Sequence, residues 1–220
     1  MIQVTDIHKS YGSLHVLRGV SLVIPDHQVA AIVGPSGAGK STLLHIIGTL
    51  DRPDSGQVIY DGVDVSMLSD RRISRFRNKH IGFVFQAHQL LPEFTLLENV
   101  MMPALIAGMT PSRAAEMAMP LLREVGLGDR LGHKPTELSG GEAQRGAVAR
   151  ALVNTPSVVL ADEPSGSLDS RNRRDLHDIF FRLRDLHGTT FVTVTHDESL
   201  ASRCDSIFRI TDGEISPCAI

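Results

Sequence analysis

The chain has 220 residues, 42% of them hydrophobic and 21% charged, which is ordinary for one globular domain with a substantial core. A formal net charge of -3 argues against broad electrostatic binding of DNA or RNA, because such binding needs clustered Lys and Arg. No stretch approaches the roughly 20 consecutive apolar residues that cross a bilayer, and the first residues lack the basic and apolar segments of a secretion signal, so we expect a chain that neither spans a membrane nor is secreted.

Strand signals dominate the first part of the chain. The runs Ile2–Ile7 and Ser21–Ile24 are rich in β-branched residues, and the apolar run Val29–Val33 predicts a buried parallel strand that ends at a glycine cluster. The segment Ser41–Leu50 then carries helix formers with apolar residues at helical spacing. The order of strand, glycine-rich loop and helix indicates an α/β unit.

The middle of the chain has a different pattern. Asp61-Gly62 lies between two β-rich runs and predicts a hairpin. The basic stretch Arg71–Lys79 indicates either the solvated face of a helix or a contact with a partner or lipid. From about residue 87 to 155 we expect an inserted helical subdomain, because apolar residues follow helical spacing that is broken by Pro92, Pro103, Pro111, Pro120 and Pro135.

Two further runs, Val158–Ala161 and Thr190–Thr195, are strand candidates in the last part of the chain. An acidic or histidine residue follows each run, at the edge where open α/β sheets place their sites. Cys204 and Cys218 form no metal-ligand pattern, and Cys218 falls in a predicted short tail. We expect both to be reduced thiols in the cytoplasm.

The glycine cluster matches the phosphate-binding pattern G-x-x-x-x-G-K-[ST], and it lies between a strand and a helix as that pattern requires. Its glycines allow successive backbone N–H groups to converge on phosphate oxygens, and the helix N-terminus adds partial positive charge. Lys40 can reach the terminal phosphates, and the Ser41 hydroxyl can bind Mg²⁺. We predict that nucleotide binds at Gly34, Pro35, Ser36, Gly37, Ala38, Gly39, Lys40, Ser41 and Thr42.

Two adjacent carboxylates, Asp162 and Glu163, follow an apolar strand and precede Pro164. We predict that Asp162 holds Mg²⁺ and that Glu163 orients or deprotonates the attacking water. The alternative is a solvated turn, but the preceding buried strand favours a catalytic site. Phosphoryl transfer needs little covalent chemistry from the protein, so these groups would act by position and charge.

The stretch Leu138–Arg145, LSGGEAQR, resembles the LSGGQ signature of ABC ATPases. Ser139 and the two glycines can form a second anion-receiving turn at the start of a helix. The resemblance implies that this turn closes on the γ-phosphate held by the glycine-rich phosphate-binding loop (the P-loop, Gly34–Ser41) of a second subunit. Two chains would then sandwich two ATP molecules. It implies nucleotide contacts for Ser139, Gly140, Gly141 and Glu142.

Other residues resemble family elements in the family's order along the chain. Tyr11 resembles the aromatic residue that stacks on adenine, and Gln86 resembles the glutamine that contacts Mg²⁺ and the attacking water. Asp169 resembles the D-loop residue at the nucleotide-sandwich interface, and His196 resembles the histidine that contacts the γ-phosphate. The alternatives are a strand-end tyrosine, a surface glutamine and a structural histidine. The implied catalytic residues are Glu163, His196 and Gln86, and the implied metal ligands are Ser41, Gln86 and Asp162.

The chain departs from the family pattern at four positions. Glu142 stands where the signature usually has Gln, Ala143 and Gly146 replace larger residues, and the D-loop begins with Ser167. None of these changes removes a phosphate ligand. Gly in a helix interior costs about 0.5–1 kcal/mol relative to Ala, so we hypothesise that Gly146 permits close packing.

Within the superfamily, the segments Leu43–Gly56 and Leu90–Val100 resemble the lipoprotein-releasing (LolD-type) group, with macrolide-export (MacB-type) ATPases close by. The resemblance implies a peripheral ATPase at the cytoplasmic face of the inner membrane, which touches the membrane only through permease subunits. An efflux or antimicrobial-peptide exporter and a cell-division complex that transports nothing remain alternatives. A DNA-repair ATPase would need a long coiled-coil insertion, and a translation factor would need two cassettes; the sequence has neither.

The resemblance also implies a fold class and cofactors. We expect an α/β fold with a P-loop NTPase (RecA-like) core, an N-terminal antiparallel β subdomain and an inserted α-helical subdomain. The whole chain, 1–220, would be one ATP-binding domain, with its core at about 1–86 and 156–220 and the helical subdomain at about 87–155. The expected cofactors are ATP and Mg²⁺, and the expected partners are permease subunits and a second ATPase chain.

Overall fold

A computed structural model describes the backbone of residues 1–218 and the side chains of residues 1–216. The chain divides into two compact units: Met1–Arg77 together with the chain from Thr190 onward form the first unit, and Asn78–Thr189 form the second. Across the described residues, no helix combines the length and the apolar character needed to cross a bilayer.

The elements lie, in chain order, in three segments: the residues before 81, residues 81–187, and the chain from Thr190 onward. The first segment contains β1 (Ile2–Tyr11), β2 (Leu14–Ile24), β3 (Val29–Val33), α1 (Lys40–Ile47), β4 (Ser55–Tyr60), β5 (Val63–Asp64) and α2 (Asp70–His80). The second unit adds β6 (Ile81–Phe85), α3 (Leu96–Ile106), α4 (Pro111–Glu124), α5 (Gly140–Leu152), β7 (Val158–Asp162) and α6 (Ser170–His187). The last segment contains β8 (Thr190–Val194), α7 (Glu198–Ala201), β9 (Ser206–Thr211) and β10 (Glu214–Cys218).

An antiparallel sheet in the order β2-β1-β4-β5 forms one part of the first unit. The predicted hairpin is confirmed, since β4 pairs with β5 and the turn residues Asp61 and Gly62 have φ values of 47° and 83°. Positive φ at both central residues is the requirement of the type I′ turn, which matches the twist of the strands it joins. The expected N-terminal antiparallel subdomain is therefore present.

Strand β3 lies at the centre of the other part of the first unit. It pairs in parallel with β8 on one side and with β9 on the other, and β10 extends the sheet beyond β9. The residues Val29–Ile32 are completely buried, as the uninterrupted apolar run predicts for a parallel strand covered on both faces. Cys218 ends β10, so the expectation that it lies in a tail was wrong for its backbone; its side chain lies outside the described residues.

The second unit places β6 beside β7 in parallel and packs helices α3, α4 and α5 in the range where the sequence predicts helices. Thr95 caps α3 in a capping box with Glu98, and Thr110 caps α4. Pro111 occupies the first turn of α4, where a missing N–H costs nothing. Pro103 and Pro120, however, lie inside α3 and α4, so the expectation that they break helices was wrong.

Candidate nucleotide and hydrolysis site

The P-loop of the first unit joins β3 to α1 through three glycines with positive φ, namely 155° at Gly34, 79° at Gly37 and 100° at Gly39. A Cβ at Gly34 would lie 2.2 Å from the backbone oxygen of Ile210, and one at Gly39 would lie 2.8 Å from Leu17 Cδ2. These two positions therefore require glycine for space as well as for backbone conformation. The loop ends at the N-terminus of α1, where Gly39 is the N-cap residue.

Lys40, the first residue of α1, folds back across this loop. Its Nζ donates hydrogen bonds to the backbone oxygens of Gly34 at 3.0 Å and Pro35 at 2.9 Å. These bonds hold the ammonium group over the loop that the sequence predicts to cradle phosphates. A cavity of about 390 Å³ lies beside the loop, lined by Leu14, His15, Val16, Arg18, Pro35, Ser36, Gly37, Ala38, Asp212 and Gly213.

His196 lies at the same sheet edge as the P-loop. Strands β3 and β8 are parallel with Ile32 opposite Val194, so the loop that follows β3 and the residues that follow β8 emerge together. The Thr195 N–H donates to the Ile32 oxygen at 3.2 Å, which extends the pairing up to His196. His196 itself is exposed. The first unit therefore brings two of the predicted nucleotide-contacting elements to one edge.

Tyr11, the last residue of β1, is half-exposed and makes specific contacts. Its hydroxyl donates to Asp51 Oδ2 at 2.6 Å, and Lys9 Nζ lies 5.1 Å from its ring centroid. The Thr42 hydroxyl also interacts with the Tyr11 hydroxyl, which places a P-loop helix residue beside this ring. Sequence reasoning assigned no role to Lys9 or Asp51, although Asp51 lies in the segment Leu43–Gly56 that carries the subgroup resemblance.

In the second unit, Gln86 and the carboxylates follow neighbouring strands. Phe85 is opposite Asp162 in the parallel β6–β7 pair, so Gln86 and Glu163 both come directly after the same sheet edge. Glu163 adopts φ of 46°, a left-handed conformation that costs a non-glycine residue about 1 kcal/mol or more. The Gly166 N–H donates to the Glu163 oxygen at 3.0 Å and closes a turn that holds this conformation.

The segment after Glu163 packs closely against Gln86. A Cβ at Gly166 would lie 3.1 Å from Gln86 Nε2, and the Ser167 hydroxyl donates to the Gln86 backbone oxygen at 3.4 Å. Buried His177 on α6 bonds to the hydroxyl of buried Ser165 at 3.1 Å. The predicted water-binding glutamine and the predicted general base are therefore held by one connected segment.

Helix α5 holds the backbone on both sides of Gln86. The buried Gln144 side chain donates to the Phe85 oxygen at 2.7 Å. Arg150 donates to the backbone oxygens of His88 at 2.9 Å and Gln89 at 2.6 Å. Sequence reasoning assigned no role to either side chain; the signal that could have found Gln144 is a polar residue among the small buried residues of α5.

The signature turn begins α5, with Ser139 as its N-cap residue. The Ser139 hydroxyl accepts from the Glu142 N–H at 3.3 Å, and Glu142 Oε2 accepts from the Ser139 N–H and hydroxyl at 2.8 Å each. Arg130 Nε donates to the other Glu142 oxygen at 3.1 Å. The pKa of Glu142 is lowered to about 2. The bond from the Ser139 N–H is the main cause, followed by the bonds from the Ser139 hydroxyl and from Arg130. Glu142 therefore closes a capping box, and its predicted nucleotide contact stays a prediction.

Asp169 and the signature turn meet through Asn172 on α6. Asp169 Oδ1 accepts from the N–H groups of Asn172 at 2.9 Å and Arg171 at 3.0 Å, and the first of these bonds lowers the Asp169 pKa most. Its Oδ2 accepts from the Asn172 side-chain amide at 2.6 Å. A Cβ at Gly141 would lie 2.4 Å from Asn172 Oδ1, so the second signature glycine is needed for this close approach. Oδ1 of Asp169 therefore caps α6, and Oδ2 holds the Asn172 side chain.

The predicted Mg²⁺ ligands offer oxygen atoms only: a hydroxyl from Ser41, an amide from Gln86 and a carboxylate from Asp162. Mg²⁺ prefers such hard ligands and retains several waters, so it uses few protein groups. Among the residues that the structure describes, no three His, Cys, Asp or Glu side chains cluster to form a separate metal site. Each of these donor types therefore suits Mg²⁺ with water and phosphate as its further ligands.

Comparison with known proteins adds to this geometry. Residues 17–166 match the family model described as ABC transporter. The chain is 60% identical over 215 residues to the Lipoprotein-releasing system ATP-binding protein LolD of Bacteroides thetaiotaomicron, covering 98% of this chain and 99% of that protein. It is 56% identical over 213 residues to the protein of the same name from Porphyromonas gingivalis, covering 97% of each.

Solved structures give the same result for the fold. A dimeric ATP-binding cassette in a post-hydrolysis state, bound to ADP and Pi, matches with a TM-score of 0.89 at 38% identity, covering 98% of this chain and 97% of that chain. A second dimeric structure of that same cassette, described as a bacterial ABC transporter cassette, matches with a TM-score of 0.90, also at 38% identity and with the same coverage. The predicted family resemblance and fold class are confirmed. Since the family model covers more than half of the chain and these proteins match it nearly end to end, the chain belongs to the ABC transporter family and has its ATP-binding cassette fold.

Proposed function

We propose that this chain is the ATP-hydrolysing subunit of an ABC transporter that releases lipoproteins from the inner membrane. The observation that carries the proposal is the 60% identity, over nearly the whole length of both chains, to a lipoprotein-releasing ATP-binding protein. Similarity at that level includes the connecting segments as well as the phosphate-binding and signature motifs. The proposal therefore covers the transported class of molecule as well as the ATPase reaction.

ATP binds through the P-loop in this proposal. The N–H groups of the glycine-rich turn and the N-terminus of α1 receive the phosphates. Lys40 exchanges its bonds with the Gly34 and Pro35 oxygens for phosphate oxygens, which is a short movement because its ammonium group already lies over the loop. Tyr11 stacks on the adenine ring, and Thr42 contacts the nucleotide from the first turn of α1.

Hydrolysis uses residues from the carboxyl ends of three strands. Glu163 orients and deprotonates the attacking water, Gln86 positions that water, and His196 contacts the γ-phosphate. Ser41, Gln86 and Asp162 would hold Mg²⁺, which when bound neutralises charge on the phosphate oxygens. The left-handed backbone of Glu163 and its turn to Gly166 fix the direction in which the Glu163 side chain leaves the backbone before substrate arrives.

Two copies of the chain form the working enzyme. The turn at Ser139, Gly140 and Gly141, of which Ser139 and Gly140 are exposed, binds the γ-phosphate held by the P-loop of the other copy. Glu142 and Asp169 shape that turn and its neighbour. ATP favours the closed pair because only there do its phosphates contact both turns. The dimeric state of the solved cassette, seen in both of its structures described above, supports this arrangement.

Permease subunits in the membrane are the partners that use this closure. The chain acts at the cytoplasmic face of the inner membrane and touches it through those subunits, as a peripheral protein. Closing and opening of the ATPase pair would pass to the permease through the helical part of the chain, which we place at about 87–155 of one ATP-binding domain spanning 1–220. This coupling makes lipoprotein release dependent on hydrolysis at Glu163.

The test is to identify the membrane proteins that copurify with tagged Glu163→Gln protein in mild detergent with ATP. We expect two permease subunits with bound lipoprotein, because loss of the general base traps the closed state. Tagged Lys40→Ala protein is the matched control, because it cannot reach that state. An efflux or division permease in place of the expected pair would refute lipoprotein release, and the absence of any membrane partner would refute the transporter assignment.

A further inference from the structure

Tyr11 is one of three residues in a compact polar cluster of the first unit, the other two being Lys9 and Asp51. Asp51 accepts from the Tyr11 hydroxyl through Oδ2 at 2.6 Å and from Lys9 Nζ through Oδ1 at 2.8 Å. Lys9 also donates to the backbone oxygen of Arg52 at 2.7 Å. Each oxygen of the Asp51 carboxylate therefore has a separate strong donor.

Lys9 and Asp51 form the shielded part of this cluster, whereas Tyr11 faces solvent. Lys9 is buried, and the Asp51 side chain is 32% exposed, so their ion pair is largely shielded from water. Tyr11 is 51% exposed. A half-exposed tyrosine without a partner would sample several rotamers, but the Asp51 carboxylate holds the hydroxyl end of this ring in one place.

We propose that Asp51 is a positioning residue that holds the Tyr11 ring in the orientation that receives the purine base of ATP, and that Lys9 fixes Asp51 for this purpose. The inference rests on the proposed function, because it requires the base to stack on Tyr11. Lys9 Nζ lies over one face of the ring at 5.1 Å from the centroid, so the opposite face receives the base. Stacking needs a defined ring plane, and a ring already held in that plane loses less conformational entropy when ATP binds.

The ionisation of these groups is consistent with this geometry. The hydrogen bond to Asp51 is the main cause that raises the pKa of Tyr11, and a bond to Asp51 likewise raises the pKa of Lys9. Desolvation acts to raise the pKa of Asp51, but the bonds from Lys9, from Tyr11 and from the Arg52 N–H together outweigh it and hold that pKa below its ordinary value. The carboxylate is therefore charged, and the phenol and ammonium remain protonated, across the neutral range.

The experiment measures binding of Mg²⁺–ATP and of inorganic tripolyphosphate by calorimetry to wild type, Asp51→Asn, Tyr11→Phe and the double variant. Each single change should weaken ATP binding about three- to tenfold, the range expected for one hydrogen bond, and should leave tripolyphosphate binding unchanged because it has no base. The double variant should be no weaker than the single variants, since each change removes the same charge-assisted bond between the Tyr11 hydroxyl and the Asp51 carboxylate. Asp70→Asn is the matched control, because Asp70 pairs with Arg52 at 2.7 Å without contacting Tyr11.

Three results would overturn the inference while leaving ATP binding established: no effect of Asp51→Asn on ATP affinity, an equal loss of tripolyphosphate affinity, or fully additive effects of the two changes. Wild-type protein that binds neither ligand would instead refute the proposed function, and this inference with it. The two failures are therefore distinguishable in one set of titrations.

A titration without nucleotide tests the bond directly. The chain has two tyrosines and no tryptophan, and the buried Tyr60 hydroxyl donates to the Ile47 oxygen at 2.7 Å. Burial raises the pKa of Tyr60, so the first tyrosine to ionise in the folded protein is Tyr11. Asp51→Asn should lower the pH of this first ultraviolet transition, and an unchanged transition would show that Asp51 does not hold the phenol.

Discussion

Gly146 provides a sharp test of packing between helices α3 and α5. A Cβ at this position would lie 2.6 Å from Leu96 Cδ1, well inside van der Waals contact, while the next atoms, Leu90 Cδ1 at 3.6 Å and Leu127 Cδ1 at 3.9 Å, are at ordinary distances. Leu96 is completely buried, so its methyl group has little room to move. The structure therefore supports the hypothesis that glycine permits this close approach.

Two opposing terms decide the effect of Gly146→Ala. Alanine gains about 0.5–1 kcal/mol of helix propensity, whereas overpacking a buried site costs about 1–3 kcal/mol. We expect a net loss of about 1 kcal/mol, which lowers Tm by roughly 2–4 °C in a chain of this size. Thermal unfolding followed by circular dichroism measures this shift, and ATP hydrolysis is measured on the same sample.

The Leu96→Ala background provides the matched control. Removing the Leu96 methyl groups costs about 2–5 kcal/mol by itself, but it also removes the atom that the new Cβ would meet. Gly146→Ala should therefore raise Tm in that background and lower it in the wild type, because only propensity remains. A higher Tm with unchanged ATP hydrolysis in the single variant would refute the packing argument.

Three further changes test the site. Glu163→Gln should lower turnover by about 10²- to 10⁴-fold while ATP binding persists, and near-normal hydrolysis would contradict its role as general base. Lys40→Ala should weaken ATP binding measured by calorimetry, and an unchanged affinity would contradict the phosphate cradle. Glu142→Gln should lose the contact with Arg130 and about 1–2 kcal/mol at neutral pH. Because the folded-state pKa of Glu142 is lowered to about 2, the stability that its charge contributes is complete above the unfolded value near 4.5 and is lost as pH falls toward 2. The Tm difference between wild type and Glu142→Gln should therefore shrink in acid, and a constant difference would exclude the charge as its cause.

Local patterns predicted those parts of the fold in which one segment determines its own structure. Val29–Val33 is a strand with the predicted bounds, and Asp61-Gly62 forms the predicted turn. Strands β9 and β10 were missed, because their short runs carry no motif and they are stabilised by pairing with β3 and with each other. Pro103 lies within a helix because packing outweighs the local cost of a missing donor.

The residues of the candidate site also fall into those that the sequence could predict and those that it could not. The residues of the P-loop, the paired carboxylates and the signature turn could be found because their chemistry requires fixed spacing along the chain. Asp51 could not be found, because its contact with Tyr11 joins residues 40 positions apart and depends on the pairing of distant segments. The left-handed conformation of Glu163 was equally inaccessible, since nothing in the residue type indicates it.

The bonds from Gln144 and Arg150 have a consequence for which substitutions the segment around Gln86 can accept. Both side chains bond to main-chain oxygens, those of Phe85, His88 and Gln89, and a main-chain oxygen is present in every amino acid. The residue types at these three positions can therefore vary without loss of the attachment. The number of residues between them cannot vary, because one insertion or deletion would move the oxygens away from their donors. The contacts with helix α5 therefore constrain the length of this segment and not the identity of its side chains.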